Sequence, residues 1–372
     1  MKKKIRVAVI FGGRSGEHEV SLMSAQGIMR AIDKEKYEVV PIGITKEGRW
    51  IAGGDPLQAL QSGMGEGESK PAALLGDPSQ RGMILLEEHE RGLQAHRLTE
   101  VDVVFPILHG PYGEDGTVQG LLELANLPYV GAGVLGSAVG MDKAAFKDVM
   151  LAHGLPITEH LLIKRNEWEA DPEGVLDRSE AALDYPVFTK PANLGSSVGI
   201  SKAHNRPELE SALDEAARYD RRLLIEKAVD AREIEVSMLG NDDPIASVPG
   251  EIVPCNEFYD YEAKYIAGDS ELLIPAPLSE ELTRHIQEMA VQAYQAIDCA
   301  GMARADFLLE RNTHKIYVNE LNTLPGFTPI SMYPKLWEAS GISYSELIDR
   351  LIELGLERYR DKSRSATSYI VE

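Results

Sequence analysis

An apolar run from Ile5 to Phe11, interrupted only by Arg6, is followed by Gly12-Gly13 and then by apolar residues at Val20, Met23, Ile28 and Ile32. A short apolar run bounded by glycine reads as a buried strand, and the wider spacing after it reads as one face of a helix. The chain therefore opens strand, turn, helix. Further strands are predicted at Glu38–Ile44 and Val101–Leu108, the second ending at His109-Gly110-Pro111. Strands that alternate with helices predict a parallel sheet. Between them, residues about 53 to 80 are rich in Gly, Ser, Pro and charge without a sustained period, and are expected to form a surface insertion.

A helix is predicted over Asp142–His153, and strands at His160–Lys164, Val187–Lys190 and Leu223–Lys227, with a Gly195–Gly199 turn among them. This middle stretch reads as a small α+β unit. Strands at Ile234–Leu239, Ala305–Leu309 and Lys315–Val318 follow, again alternating with helices. One helix should start after Ser279, with Glu280 and Glu281 favourably placed in its first turn. Another should start after Ser343, which has Glu346 at the spacing of a capping box. No internal repeat or heptad array is present.

Composition narrows the class. At 372 residues the chain exceeds one typical domain and predicts two or three compact units. With 44% hydrophobic and 26% charged residues it reads as an ordinary globular protein. The net charge of -21, from 38 basic and 59 acidic residues, works against a nucleic-acid footprint, which needs a basic face. A small anion can still bind, because screening over about 8 Å lets a few cations in a cleft outweigh a distant acidic surface. Cys255 and Cys299 form neither a disulfide framework nor a paired metal motif, which fits a reducing compartment. The basic start at Lys2–Lys4 leads into a segment too short for a signal peptide, and no apolar run approaches the ~18 residues that span a bilayer. A cytoplasmic protein without membrane or nucleic-acid partners is expected.

Four segments carry candidate chemistry. Arg304-Ala305-Asp306 and Glu320-Leu321-Asn322 each place two polar groups on one face of a strand. Paired, they would bring Asp306, Glu320 and Asn322 together as oxygen ligands suited to Mg²⁺; the alternative is an amphipathic hairpin with a solvated acidic face. Asn322-Thr323-Leu324-Pro325-Gly326 adds a turn whose backbone N–H groups can hold a developing oxyanion. Lys190-Pro191 with Gly195–Gly199 offers donors for phosphate, or only a turn; a P-loop is excluded because no G-x-x-x-x-G-K-[ST] run occurs. Gly12–Glu19 places carboxylates where they either favour a helix N-terminus or bind a substrate ammonium. Gly131–Gly136 matches G-x-G-x-x-G, yet no acidic residue closes the next strand, so it is assigned to packing at a domain boundary.

These residues fall in eight ordered segments: GGRSGEHEVS from Gly12, ILHGPYGEDG from Ile107, Met141-Asp142-Lys143, KPANLGSSVG from Lys190, EKAVDAREIEV from Glu226, EFYDYEAKY from Glu257, RADF from Arg304 and NELNTLPGFTPISMYP from Asn319. Together they resemble the ATP-grasp superfamily and, within it, the D-alanine–D-alanine ligase family. The resemblance runs from Gly12 to Met332. It implies a three-domain α/β ATP-grasp fold. Residues 1–131 would form an N-terminal parallel α/β domain on the first-substrate side. Residues 132–227 would form a central subdomain with a phosphate lid, and residues 228–372 a C-terminal subdomain with the metal site and a mobile loop.

The roles that follow are those the resemblance implies. Lys143 and Lys190 hold the ATP phosphates, with Ser196 and Ser197 on the lid and Lys264 at the γ-phosphate. Glu226, Lys227 and Val229 line the adenine, and Glu233 meets the ribose. Glu17 binds the ammonium of the first D-alanine, with His109 beside it, and Tyr265 joins Glu17 and Ser196 in one hydrogen-bonded set. Arg304 and the Gly326 N–H face the oxyanion. Ser331 and Met332 lie at the second substrate's carboxylate. Asp306, Glu320 and Asn322 hold two Mg²⁺ or Mn²⁺ ions. The implied reaction activates one D-alanine as an acyl phosphate and couples it to a second, giving the dipeptide of peptidoglycan precursors, and the implied assembly is a homodimer. Relatives that make D-alanyl-D-lactate commonly depart from tyrosine in the loop, so Tyr265 implies an amine as second substrate. A D-alanine–D-lactate or other D-amino acid ligase is the alternative within the superfamily. An NAD-dependent oxidoreductase built on Gly131–Gly136 is the alternative from another class.

Overall fold

The computed structural model describes residues 3–63, 69–89, 92–196, 198–253 and 271–366. Strands β1 (Ile5–Gly12) and β2 (Tyr37–Ile44) flank helix α1 (His18–Ala31). They are followed by β3 (Trp50–Ala52), α2 (Pro56–Ser62), β4 (Lys70–Leu74), β5 (Met83–His89), β6 (Gly92–Thr99) and β7 (Val103–Ile107). The seven strands form one sheet in the order β6-β5-β4-β3-β2-β1-β7. Only the β1–β2 and β1–β7 pairs are parallel, while the pairs from β2 to β6 are antiparallel.

Residues 53 to 80, expected to form a surface insertion, contain two regular elements. That stretch, which shows no sustained period in sequence, supplies α2, capped by Asp55 accepting from Gln58 N, and β4, which buries Ala72 and Leu74. The glycines that hid these elements lie in their connections, while Pro56 opens α2 and Pro71 lies within β4. In the parallel core, β1 is apolar on both faces because both are covered. Val7, Val9 and Phe11 join one cluster, while Ala8 and Ile10 join another on the opposite side.

After α3 (Thr117–Leu124), α4 (Val134–Met141) and α5 (Lys143–Ala152), a four-stranded antiparallel sheet runs in the order β10-β9-β11-β8. Its strands are β8 (His160–Lys164), β9 (Val187–Pro191), β10 (Ser201–Ala203) and β11 (Arg222–Lys227), and α6 (Arg165–Ala170), α7 (Pro172–Ala182) and α8 (Arg206–Tyr219) complete the unit. It has its own core of Ile163, Trp168, Leu176, Leu213, Leu223 and Ile225.

The third sheet holds β12 (Ala231–Gly240), β13 (Ile245–Ala246), β14 (Gly250–Val253), β15 (Glu271–Leu273), β16 (Gly301–Glu310) and β17 (Ile316–Asn322). Helix α9 (Glu280–Ala296) covers it through Ile286, Met289, Ala290, Ala293 and Tyr294, and Ser279 caps that helix by accepting from Leu282 N. Helices α10 (Met332–Ala339) and α11 (Tyr344–Lys362) then return to the first sheet, where Tyr333, Trp337, Leu347 and Leu351 share a core with Val7, Phe105 and Ile107.

The Gly131–Gly136 segment serves this packing, as expected. A Cβ on Gly301 would meet Gly131 N at 2.9 Å, and one on Gly136 would meet Asp298 O at 3.1 Å. No helix among the described residues is long and apolar enough to cross a membrane.

Candidate active site

A cleft of about 660 Å³ lies where the three sheets meet, and its walls include Glu17, His109, Lys143, Ser196, Arg304 and Glu320. Asn322, Gly326, Ser331 and Met332 line it too.

One corner of the cleft begins at the turn after β1. Gly12 and Gly13 have φ of +90° and +103°, and a Cβ on Gly12 would meet Ile44 O at 2.2 Å, so only glycine fits. Ser21 of α1 accepts from Gly12 N at 2.7 Å and donates to Ile107 O, tying the helix to β1 and β7. Glu17 ends the turn. Its carboxylate does not cap α1; Oε1 accepts from the Ser196 hydroxyl. Ser196 sits in the left-handed region at φ +50°, a conformation that costs a non-glycine residue about 1 kcal/mol or more.

His109 is buried beside this pair. Its Nδ1 donates to Leu324 O at 3.0 Å, which leaves Nε2 to accept from Ser24 Oγ at 3.1 Å, and Glu114 Oε1 lies 3.6 Å from Nδ1. Burial works against a charged imidazole, but Glu114 and Glu17 outweigh it and raise the His109 pKa. Burial, reinforced by Glu17, raises that of Glu114 against the pull of His109. Ser24 also accepts from Phe327 N at 3.2 Å, so the corner is pinned to the turn after β17.

The acidic floor comes from three adjacent strands. Glu235 lies opposite Asp306 and Asp306 opposite Glu320, with a register shift after Asp306, while Arg304 lies opposite Asn322. The hairpin expected from the two triplets is therefore formed. Arg304 grips Asp306 with two bonds of 2.7 Å and lies 3.0 Å from Glu235. Burial disfavours its charge, but the two carboxylates overcome this and hold it protonated. Lys143 Nζ sits 3.6 Å from Glu320 and donates to Leu194 O at 2.8 Å at the base of the glycine-rich loop. Asn322 Oδ1 accepts from Leu324 N at 3.2 Å. Among the described residues no three His, Cys, Asp or Glu side chains form a metal cluster. Two facing carboxylates and an amide oxygen nonetheless fit a hard divalent cation that also takes phosphate oxygens and water.

Lys190 and Glu226 stand on neighbouring strands β9 and β11, joined at 3.0 Å. Lys227 is exposed at the end of β11, 3.7 Å from Glu159, and Val229 is half-buried in the link to β12. Glu233 shares a face of β12 with Glu235, two residues on. These three and Lys190 are not among the cleft's lining residues. Thr328 Oγ1 and Ser331 Oγ are 2.7 Å apart at the start of α10. Ser197, Lys264 and Tyr265 lie outside the described residues.

Sequence reading missed Glu114, Glu235 and the buried Lys147. Glu235 had a signal, since alternation along β12 puts it on the face of Ser237 and Glu233. Lys147 had one too, lying one helical turn after Lys143.

Profiles described as the N-terminus and C-terminus of D-ala D-ala ligase match residues 6–132 and 149–353. The chain belongs to the D-alanine–D-alanine ligase family. It is 55% identical to the D-alanine–D-alanine ligase of Heliobacterium modesticaldum, with 98% of each chain covered. It is 51% identical to that of Natranaerobius thermophilus, with 99% of each covered. Among solved structures of the family, the D-alanine–D-alanine ligase of Coxiella burnetii superposes with a TM-score of 0.82 at 39% identity, covering 97% of this chain and 96% of its own. The VanG D-Ala:D-Ser ligase of Enterococcus faecalis gives 0.84 at 35% identity, covering 95% and 100%. The higher identities are to proteins named for D-alanine.

Proposed function

We propose that this chain couples two D-alanine molecules with hydrolysis of ATP to ADP and phosphate, supplying D-alanyl-D-alanine for peptidoglycan precursors. The observation that carries this reading is one cleft with an ammonium acceptor, Glu17, on one wall and a cationic and acidic floor of Lys143, Arg304 and Glu320 on the other. A carboxylate resists attack because its charge is delocalised and its leaving group is poor. Transfer of the γ-phosphoryl group to the first D-alanine makes an acyl phosphate, and the second D-alanine's neutral amine displaces phosphate from it.

Glu17, held by Ser196, fixes the first ammonium, and His109 closes that end of the cleft. Lys143, Lys190, Ser196, Ser197 and Lys264 bind the phosphates, while Glu226, Lys227, Val229 and Glu233 bind the nucleoside. Divalent ions, taken to be two of Mg²⁺ or Mn²⁺, would sit at Asp306, Glu320 and Asn322 and offset phosphate charge. Arg304 and the Gly326 N–H offset the oxyanion of the tetrahedral intermediate. Ser331 and Met332 receive the second carboxylate, and Tyr265 completes the set around Glu17. Residues 1–131, 132–227 and 228–372 serve as the three domains. A cytoplasmic homodimer is the proposed form.

Phosphate release with D-alanine and with L-alanine, each with ATP and Mg²⁺, tests the reaction. Activity confined to the D-isomer is expected, and equal release with L-alanine would overturn the reading. Adding D-lactate across a pH series separates the depsipeptide alternative, for which the second substrate needs no deprotonated amine.

A further inference from the structure

Behind the cleft, three side chains share one buried carboxylate. Glu226 Oε1 accepts from the Thr158 hydroxyl and lies 3.3 Å from Lys147 Nζ, while Oε2 accepts from Lys190 Nζ at 3.0 Å. Lys147 also donates to Thr158 Oγ1 at 3.0 Å, so the hydroxyl accepts from the base and donates to the acid. The Lys147 side chain is 1% exposed and that of Glu226 2%, whereas Lys190 keeps 12%. Lys143 and Lys147 are four residues apart on α5 and share a helix face; Lys143 reaches the cleft and Lys147 the sheet behind it.

We infer that Lys147 is the standing counter-ion of Glu226, a positioning residue that lets Lys190 leave this carboxylate and take a nucleotide phosphate. The reason lies in how the charges are shared. Two cations flank one anion, each on its own oxygen, so one cation can depart without leaving the carboxylate bare in a low-dielectric interior. Without Lys147, a buried carboxylate would retain Lys190 as its remaining cation, because separating a buried pair is strongly unfavourable. Lys147 itself has no path to the cleft, since Thr158 and Glu226 hold it from the sheet side. Burial lowers the Lys147 pKa, Glu226 opposes this and Lys190 adds to it, so transfer of Lys190 to a phosphate also relieves a repulsion at Lys147.

The inference rests on Lys190 serving ATP, and steady-state kinetics of the full chain test the two separately. In Lys190→Ala an ordinary KM for ATP would overturn that underlying reading. With it intact, Lys147→Met is expected to raise the KM for ATP about tenfold or more while the KM values for D-alanine stay within about twofold. A Lys147→Met variant with ordinary ATP KM, or with all KM values raised together, overturns the counter-ion role. In the Glu226→Gln background no carboxylate remains to hold Lys190, so adding Lys147→Met should change the ATP KM by less than about threefold. That comparison also decides the matter if Lys147→Met alone does not fold, because replacing both members of a buried pair by neutral groups of similar volume is usually tolerated. A further rise of about tenfold between Glu226→Gln and the double variant would overturn the inference.

Discussion

The corner around Glu17 and the wall around Glu226 are built differently. At the corner, Ser196 reaches Glu17 across 179 residues, His109 reaches Leu324 across 215, and Phe327 N reaches Ser24 across 303. Each bond joins a different part of the chain. At the wall, Lys190 and Glu226 are neighbours in one sheet, and Lys147 is added from the adjacent helix. The Lys190–Glu226 pair therefore forms within one sheet, and Lys147 comes with α5, whose Phe146 and Met150 pack in the third sheet's core, whereas the corner draws its bonds from all three units. An acyl phosphate must be kept from water, so a corner drawn from all three units ties productive geometry to exclusion of solvent.

The largest effect should come where the two regions meet. Arg304→Ala is expected to lower turnover by about a hundredfold or more, on the order of 3 kcal/mol, because it removes the proposed oxyanion donor. It also leaves Asp306 and Glu235 without their shared cation. Turnover near that of the unaltered enzyme would sink the assignment.

Next comes Ser196→Ala, which cuts the bond that the glycine-rich loop donates to Glu17. A hydrogen bond to a charged group contributes about 1.5–3 kcal/mol, so kcat/KM for D-alanine should fall roughly tenfold or more. Binding of ATP without D-alanine, followed by calorimetry, should be nearly unchanged. Equal loss of both affinities would mean that corner and wall are not separable.

At the wall, acid should act only after it has reached the corner, where the pKa values of His109 and Glu114 are raised. The Glu226 pKa is raised by burial but lowered more by Lys147 and Lys190, falling from 4.5 to about 2. A group depressed in the folded state stabilises above its unfolded pKa and loses that contribution as pH falls through the folded value. Denaturant unfolding followed from pH 5 downward should thus show a slope between about 4.5 and 2 that Glu226→Gln flattens. An unchanged slope would remove Glu226 from the charge balance.

The smallest effect lies far from both regions. Ser343 caps α11 by accepting from Glu346 N, and Ser343→Ala should cost about 1 kcal/mol of stability with kinetic constants unaltered. The expected capping box is half formed, since the Glu346 carboxylate turns to Arg350 at 2.7 Å.

Much of this was legible without coordinates. Ile5 to Phe11 announces a strand buried on both faces, because a run with no polar face must be covered twice. The period of two in Arg304-Ala305-Asp306 and Glu320-Leu321-Asn322 announces that each pair shares a side, which strand geometry enforces whatever the partner. Glycines at 12 and 13 announce a turn that other residues would strain. Strand β6 was less readable, since an exposed strand owes its conformation to the sheet it extends and carries little apolar signal of its own.

Local periodicity fixes which face a side chain occupies, but not which other face it meets. That Glu235 joins Asp306 and Glu320 in one row depends on β12 pairing with β16, a register that neither strand contains by itself. That Lys147 is an ion-pair partner depends on where α5 packs, because a lysine one turn into a helix is as compatible with solvent as with a buried acid. Only tertiary structure chose between those environments, since the energy of a charge is set by what surrounds it and the surroundings come from segments remote in sequence.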